Sequence, residues 1–270
     1  MTRVIALANQ KGGVGKTTTT RNLGDALVER GKRVLLGDLD QQGSLTAYCG
    51  VNPERLQTSL YNVFASYVDF NREPVALKPV IHTIKPGLDL IPANEELAAL
   101  DLELIGAYSR EQILQRVLAP VLSDYDYILL DCPPNLSLLV VNALVAATEV
   151  IIVLQTDYLA TRGVQRLLKI VTAIQSRLNP SLEIDGILMT MADQRTRHTR
   201  QIIDATRTRF QGKVRVFETI TKMSVILKDA PVTGQSILEF DGTSEAAQSF
   251  RALAAEVESL ELGVQEEGVR

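Results

Sequence analysis

Between residues 9 and 18 the chain reads Asn9-Gln10-Lys11-Gly12-Gly13-Val14-Gly15-Lys16-Thr17-Thr18. Glycines let successive backbone N–H groups converge on an anion, and a helix N-terminus adds the positive end of its dipole. An apolar strand precedes this run and a helix-like stretch follows it, which is the setting of a phosphate-binding loop ending in Gly-Lys-Thr. Gln10 stands where the strict pattern begins with glycine. The expected binding set is Lys11, Gly12, Gly13, Val14, Gly15, Lys16, Thr17 and Thr18. Lys16 would hold the β- and γ-phosphates of a nucleotide, and Thr17 would place its hydroxyl on Mg²⁺. Lys11 lies too close along the chain to be needed for the same phosphates from the same side. It is expected to reach outward, to a nucleotide on a neighbouring subunit.

Two further segments supply carboxylates. Arg33-Val34-Leu35-Leu36-Gly37-Asp38-Leu39-Asp40-Gln41-Gln42-Gly43 sets two of them at the C-terminal end of a buried strand, where open α/β sheets place ligands. Tyr127-Ile128-Leu129-Leu130-Asp131-Cys132-Pro133-Pro134 is an apolar strand ending in aspartate, so Asp131 is expected to hold a Mg²⁺-bound water or Thr17. Such a constellation suits phosphoryl transfer, which needs positioning and charge neutralisation more than covalent chemistry.

The elements that position these residues are short. Val4–Ala8, Val34–Leu36, Leu88–Ile91, Tyr127–Leu130, Val150–Leu154 and Ile184–Met189 read as strands, several of them apolar at every position, as in a sheet covered on both faces. Thr18–Arg30, Glu95–Ile105, Glu111–Leu122, Leu136–Ala146 and Gly163–Leu178 read as helices between them. This alternation predicts an α/β fold, a doubly wound, mostly parallel β-sheet flanked by helices. Tyr48–Pro86 is less regular, and Thr243–Leu260 reads as a closing helix. One domain over 1–260 is expected, followed by a short, frayed acidic tail, 261–270.

Composition bounds the function. The 270 residues are 46% hydrophobic and 22% charged, the balance of a globular protein. Two cysteines, Cys49 and Cys132, make no disulfide framework, two histidines leave little for a metal site, and no signal peptide precedes the loop, so a cytoplasmic location is expected. Leu136–Leu154 nears the length of a membrane span, but Thr148-Glu149 divides it into a helix-like and a β-branched piece, so no membrane span is expected. The net charge of −4 discourages bulk adhesion to nucleic acid, and the absence of Trp disfavours a base-stacking platform.

Lys11-Gly12-Gly13-Val14-Gly15-Lys16-Thr17-Thr18 resembles the deviant Walker A motif of the ParA/MinD ATPases. The stretch around Asp38 and Asp40 resembles that family's second motif, usually Asp-x-Asp-Pro-Gln-Gly, with Gln41 in place of the proline. Asp131 matches its Walker B. The resemblance implies an ATPase of slow turnover, with ATP and Mg²⁺ as cofactors, working as a homodimer that sandwiches two nucleotides. Lys11, Lys16 and Asp40 would be catalytic: Lys11 acts across the dimer and Asp40 orients the attacking water. Asp38 would support the Mg²⁺ shell formed with Thr17 and Asp131. Gly186 to Thr196 resembles a ParA segment, and Asp229-Ala230-Pro231 with Gly234-Gln235-Ser236-Ile237 resembles the region around the adenine, so Pro231 is expected there.

Charge placement then distinguishes branches of the family. Nine basic residues stand against two acidic ones between Arg195 and Lys228. A local patch without a base-reading motif is the footprint of non-specific double-stranded DNA binding. Arg195, Arg197, Arg200, Lys222 and Lys228 are the expected contacts; Arg195 matches a DNA-contacting position in relatives, whereas Met223 and Ile226 fall near places where relatives carry arginine. The membrane-binding MinD branch needs a basic amphipathic C-terminal helix, and Glu256–Arg270 is acidic. The iron–sulfur branch needs two bridging cysteines, for which Cys49 and Cys132 are poorly placed. No helix-turn-helix precedes Val4, so operator binding is not expected. The implied role is a nucleoid-associated ATPase that positions a plasmid, chromosome origin or protein cargo and is stimulated by a centromere-binding or cargo-adaptor protein. The alternative is a regulatory or scaffold ATPase that uses the same switch with a protein partner.

Overall fold

The six expected strands form, and two more, the third and the eighth, join them: β1 (Arg3–Ala8), β2 (Val34–Asp38), β3 (His82–Lys85), β4 (Leu88–Ile91), β5 (Tyr127–Asp131), β6 (Glu149–Gln155), β7 (Glu183–Ala192) and β8 (Val216–Lys222). A computed structural model describes residues 1–68, 72–157, 160–193 and 195–267, and only the backbone for 160–162 and 260–267. Gln194 and residues 268–270 lie outside the described residues. The α-helices are α1 (Lys16–Glu29), α2 (Ser44–Tyr48), α3 (Leu60–Val68), α4 (Leu97–Glu103), α5 (Ile113–Leu118), α6 (Leu138–Ala146), α7 (Ala160–Arg177), α8 (Arg197–Phe210), α9 (Ile226–Asp229), α10 (Ile237–Phe240) and α11 (Glu245–Glu267). The strands form one sheet in the order β3-β4-β2-β5-β1-β6-β7-β8, parallel throughout except for β3 against β4.

The central strands β1, β2 and β5 are buried at every position because both faces are covered. In β1, Val4, Ala6 and Ala8 enter the core under α3 to α7, while Ile5 and Leu7 enter the core under α1, α2, α10 and α11. Each fully buried Leu or Ile contributes roughly 1.5–3 kcal/mol relative to an exposed one. The topology places ligand-binding loops at the C-terminal ends of the strands, beside the central β1. Register brings the carboxylates together there: Asp38 at the end of β2 pairs with Asp131 at the end of β5, which also neighbours Leu7 of β1.

The doubly wound sheet is as expected, with local differences. Tyr48–Pro86 is more regular than its sequence suggests, since it holds α3 and the edge strand β3. The expected helix Glu111–Leu122 is broken into a 3₁₀ turn, the short α5 and a second 3₁₀ segment, Ala119–Asp124. Pro120 enters that segment without an N–H to donate, so α5 cannot continue. Glu95–Ile105 shortens to α4 and a 3₁₀ turn, Leu104–Gly106. β8 lies inside the basic segment, where charge masks its alternation. α11 covers the expected closing helix and runs on to Glu267, into the acidic segment. Leu136–Leu154 divides into α6 and β6, and among the described residues no helix is long and apolar enough to cross a membrane.

Candidate functional site

The glycine-rich loop joins β1 to α1 at the C-terminal edge of the sheet. Gly13 and Gly15 hold φ of 70° and 91°, left-handed values that a side chain disfavours. The loop is fastened to the neighbouring strands by Asn9 and Thr190, which stand in the recognised segments without a role assigned to them there. Asn9, only 6% exposed, donates from Nδ2 to the Val153 carbonyl at 2.5 Å and accepts the Lys11 N–H at 3.0 Å. Thr190 donates its hydroxyl to the Val14 carbonyl at 2.7 Å. Lys16 is buried, and its Nζ arches back to donate to the Lys11 carbonyl at 3.3 Å. Lys16 and the loop amides therefore face one concavity.

Beside the loop, the Thr17 hydroxyl donates to Asp131 Oδ2 at 2.6 Å, while Asp131 Oδ1 is buried with no hydrogen-bond partner. Burial, followed by the charge of Asp38, pushes the Asp131 carboxyl up to about 8, against the opposing effects of Thr17 and Lys16. Asp38 is fully buried and accepts three bonds: the Thr46 N–H at 2.8 Å and the Thr46 hydroxyl at 2.7 Å on Oδ2, and the Asp40 N–H at 3.1 Å on Oδ1. Burial raises Asp38 to about 6, with the Thr46 bonds pulling the other way. Thr46 is a site residue that no motif marked; its place one helix beyond the carboxylates gives no sequence signal. An orphaned buried carboxylate oxygen next to a threonine hydroxyl is the donor chemistry of a hard divalent cation. Asp131 and Thr17 fit Mg²⁺, and Asp38, its own oxygens engaged, backs them from behind. Asp40 is partly exposed at the rim, where its Oδ1 accepts the Gln42 N–H at 3.1 Å.

On the other side of the loop a cleft of about 190 Å³ is lined by Gly15, Thr18, Met191, Met223, Leu227 and Lys228, among others. Pro231 lies on the adjoining 3₁₀ turn, Ala230–Thr233, and is not in that lining. Lys11 points away from Lys16: its side chain is 49% exposed, and Nζ donates to Asp157 Oδ2 at 3.0 Å and Gln155 Oε1 at 3.1 Å, beyond the end of β6.

The basic segment divides between the two ends of the sheet. Arg195, Arg197, Arg200, Lys222 and Lys228 gather at the end that carries the loop, where Ala192 pairs with Lys222. Arg207 and Arg215 sit at the other end of α8 and at the start of β8, ion-paired with Glu218 and Glu256 at 2.7 and 2.8 Å. Arg195 pairs with Asp193 at 2.8 Å and Lys222 with Glu245 at 3.0 Å, whereas Arg197, Arg200 and Lys228 make no ion pair among the described residues. The positive surface at the loop end is thus smaller than a count along the chain suggests.

A glycine loop with a buried lysine, a Thr–Asp pair for a divalent cation and a parallel sheet presenting both at one edge define a P-loop nucleoside triphosphatase. A family model described as an AAA domain matches residues 2–184. Soj, the sporulation initiation inhibitor protein of Bacillus subtilis, is 40% identical over 257 residues, covering 95% of this chain and 98% of its own. The chromosome partitioning protein ParA of Caulobacter vibrioides is 38% identical over 261 residues, 96% of this chain and 95% of its own. A solved structure described as cobyrinic acid a,c-diamide synthase from Mycobacterium smegmatis, with bound ATP analog and magnesium, superposes with a TM-score of 0.81 at 35% identity, covering 94% of this chain and 93% of that one. The chain belongs to the ParA/MinD-type P-loop ATPases.

Proposed function

We propose that this chain is a partitioning ATPase that binds Mg²⁺–ATP, closes into a homodimer around two nucleotides, and in that form holds non-specific double-stranded DNA. The observation that carries this is the position of Lys11, half exposed at the rim of a site whose own chain already supplies Lys16 for the phosphates. Lys16 and the loop amides bind and orient the phosphate chain, and Thr17 and Asp131 hold the cation. Mg²⁺ neutralises charge on the phosphate oxygens when bound. Asp40 sits at the rim and orients the attacking water; ATP and water give ADP and phosphate. Lys11 swings from Asp157 to the partner's nucleotide and supplies the cation that its own site lacks. In related chemistry a positive group delivered in trans is worth roughly 10³–10⁵ in rate.

Arg197, Arg200 and Lys228 provide the DNA face, with Arg195 and Lys222 joining once their carboxylate partners yield to phosphate. The similarity to the chromosome partitioning protein ParA supports a plasmid, a chromosome origin or a protein assembly as the cargo, with a centromere-binding or cargo-adaptor protein stimulating hydrolysis, in the cytoplasm on the nucleoid. The test is binding of the ATP-loaded protein to unrelated duplexes across a salt series. About five neutralised phosphates per protomer give a log–log slope near −4.5 on every sequence. If the ATP-loaded protein fails to bind DNA at low salt, the DNA role is wrong and the basic face docks an acidic protein instead.

A further inference from the structure

Beneath the loop, four charged side chains close a ring that the phosphate chemistry does not use. Arg21, on the second turn of α1, is 1% exposed at its side chain, and Asp25 one turn later is 0% exposed. Arg21 Nη1 lies 2.9 Å from Asp25 Oδ1, and Arg21 Nη2 donates to Glu239 Oε2 at 3.1 Å. Lys85, on the edge strand β3, completes the ring, with Nζ 2.6 Å from Asp25 Oδ1 and 2.9 Å from Glu239 Oε1. The charges alternate and cancel; Arg21 and Asp25 are buried, with Arg21 Nε and both Asp25 oxygens making no hydrogen bond, while Lys85 and Glu239 are partly exposed.

Glu239 ties this ring to the wall of the nucleotide cleft. It is the third residue of a capping box on α10: its Oε2 accepts the Ser236 N–H at 3.0 Å, and its own N–H donates to Ser236 Oγ at 3.3 Å. Asn22, between Arg21 and Asp25 on α1, accepts the Ile237 N–H at 2.7 Å and donates to the Tyr48 hydroxyl at 3.1 Å. The segment 223–236 is therefore anchored at its C-terminal root to the same helix that carries Lys16 and Thr17. Met223, Leu227 and Lys228 of that segment wall the cleft beside Gly15 and Thr18. The phosphate loop and the opposite wall are thereby both attached to α1.

We propose that Glu239, held by Arg21 and Lys85, is a positioning residue for the nucleotide base: the ring fixes the 223–236 wall against the P-loop helix, so that the cleft is preformed for the nucleoside end of ATP. This rests on the proposed ATP site and on placing the base in the largely apolar cleft that opens beside Gly15 and Thr18 at the end of the phosphate loop, lined by Met191, Met223 and Leu227. A wall that must be ordered on binding costs affinity, whereas a preformed one does not. The ring touches no phosphate site, so its loss acts on base affinity and leaves turnover at saturating ATP alone.

The test compares Glu239→Gln, which keeps an amide oxygen for the Ser236 N–H, and Lys85→Met, each at a partly exposed site that leaves Arg21 and Asp25 paired. Equilibrium binding is measured for Mg²⁺–ATP and for ribose 5′-triphosphate, which has the phosphates without the base, alongside kcat and KM for ATP. The expected result is a KM and ATP dissociation constant raised roughly tenfold, with kcat and ribose 5′-triphosphate binding unchanged. Unchanged ATP binding in both variants overturns the positioning role, as does an equal loss for both ligands, which marks damage to the phosphate loop. Leu227→Ala separates the two assignments. If it leaves the preference for ATP over ribose 5′-triphosphate intact, the cleft does not hold the base; if it removes that preference while Glu239→Gln does not, only the ring's role fails.

Discussion

Thr46→Val tests the scaffold behind the metal site with a nearly isosteric change. The Thr46 hydroxyl donates to Asp38 at 2.7 Å and accepts the Ala93 N–H at 2.9 Å, and Thr46, Asp38 and Ala93 are all 0% exposed. Valine removes a hydrogen bond to a buried carboxylate, worth ~1.5–3 kcal/mol, and strands a buried N–H at a cost of ~1–3 kcal/mol. A total of about 3–5 kcal/mol is a large share of the ~5–15 kcal/mol that stabilises an ordinary domain. Functionally, Asp38 loses one of the bonds that favour its ionised form, and its grip behind Asp131 slackens. About 1.4 kcal/mol of this appearing at the cation site lowers apparent Mg²⁺ affinity tenfold. Denaturant unfolding and a Mg²⁺ titration of ATP binding measure the two effects, and Thr46→Ser, which keeps the hydroxyl, is expected to restore the second. A Thr46→Val protein within about 0.5 kcal/mol of wild type, with the same Mg²⁺ half-saturation, would refute the role given to this pair.

Asp131→Asn is expected to abolish the Mg²⁺ dependence of ATP binding while leaving the fold intact, since an amide still accepts the Thr17 hydroxyl; retention of a Mg²⁺-dependent thermal shift contradicts the assignment. Asp40→Ala is expected to bind ATP and accumulate as a dimer with little hydrolysis, and normal turnover removes Asp40 from the water-orienting role. At the opposite end of the sheet, burial and the neighbouring Glu149 raise the Asp185 carboxyl well above its usual range, against Arg3 and Arg215. A carboxyl whose folded-state pKa is raised favours the folded protein at low pH, and that advantage is lost as pH rises from about 4 through the folded value. The gain of Asp185→Asn over wild type should therefore be larger at pH 8 than at pH 5, by roughly 1–2 kcal/mol; thermal unfolding at both values that shows a pH-independent difference excludes the buried charge as its cause.

Much of the site is legible in the sequence because its chemistry is local. Gly13, Gly15, Lys16 and Thr17 are adjacent residues whose backbone requirements are written in their types, and Asp38 and Asp131 end apolar strands of the same sheet. What the sequence does not carry is long-range pairing. Asn9 and Thr190 fasten the loop to β6 and β7 from opposite ends of the chain, and Thr46 reaches Asp38 through a short helix with no motif of its own. Likewise β3 escapes periodicity because it is four residues long with none fully buried, and β8 because its exposed positions are the charged Glu218 and Lys222. The basic segment was misleading in extent for a related reason. Charge summed over residues 195–228 leaves out Asp193, Glu245 and Glu256, which neutralise Arg195, Lys222 and Arg215 in space, and does not show that Glu218 sits against Arg207.

Lys11 provides the most direct test of the ATP switch. Light scattering with Mg²⁺–ATP, paired with the hydrolysis rate, should show wild type shifting from monomer to dimer and turning over slowly. Lys11→Ala should bind ATP as a monomer and not hydrolyse it. A wild-type protein that stays monomeric with ATP, or a Lys11→Ala protein that hydrolyses ATP at the wild-type rate, contradicts a site completed by its partner's lysine.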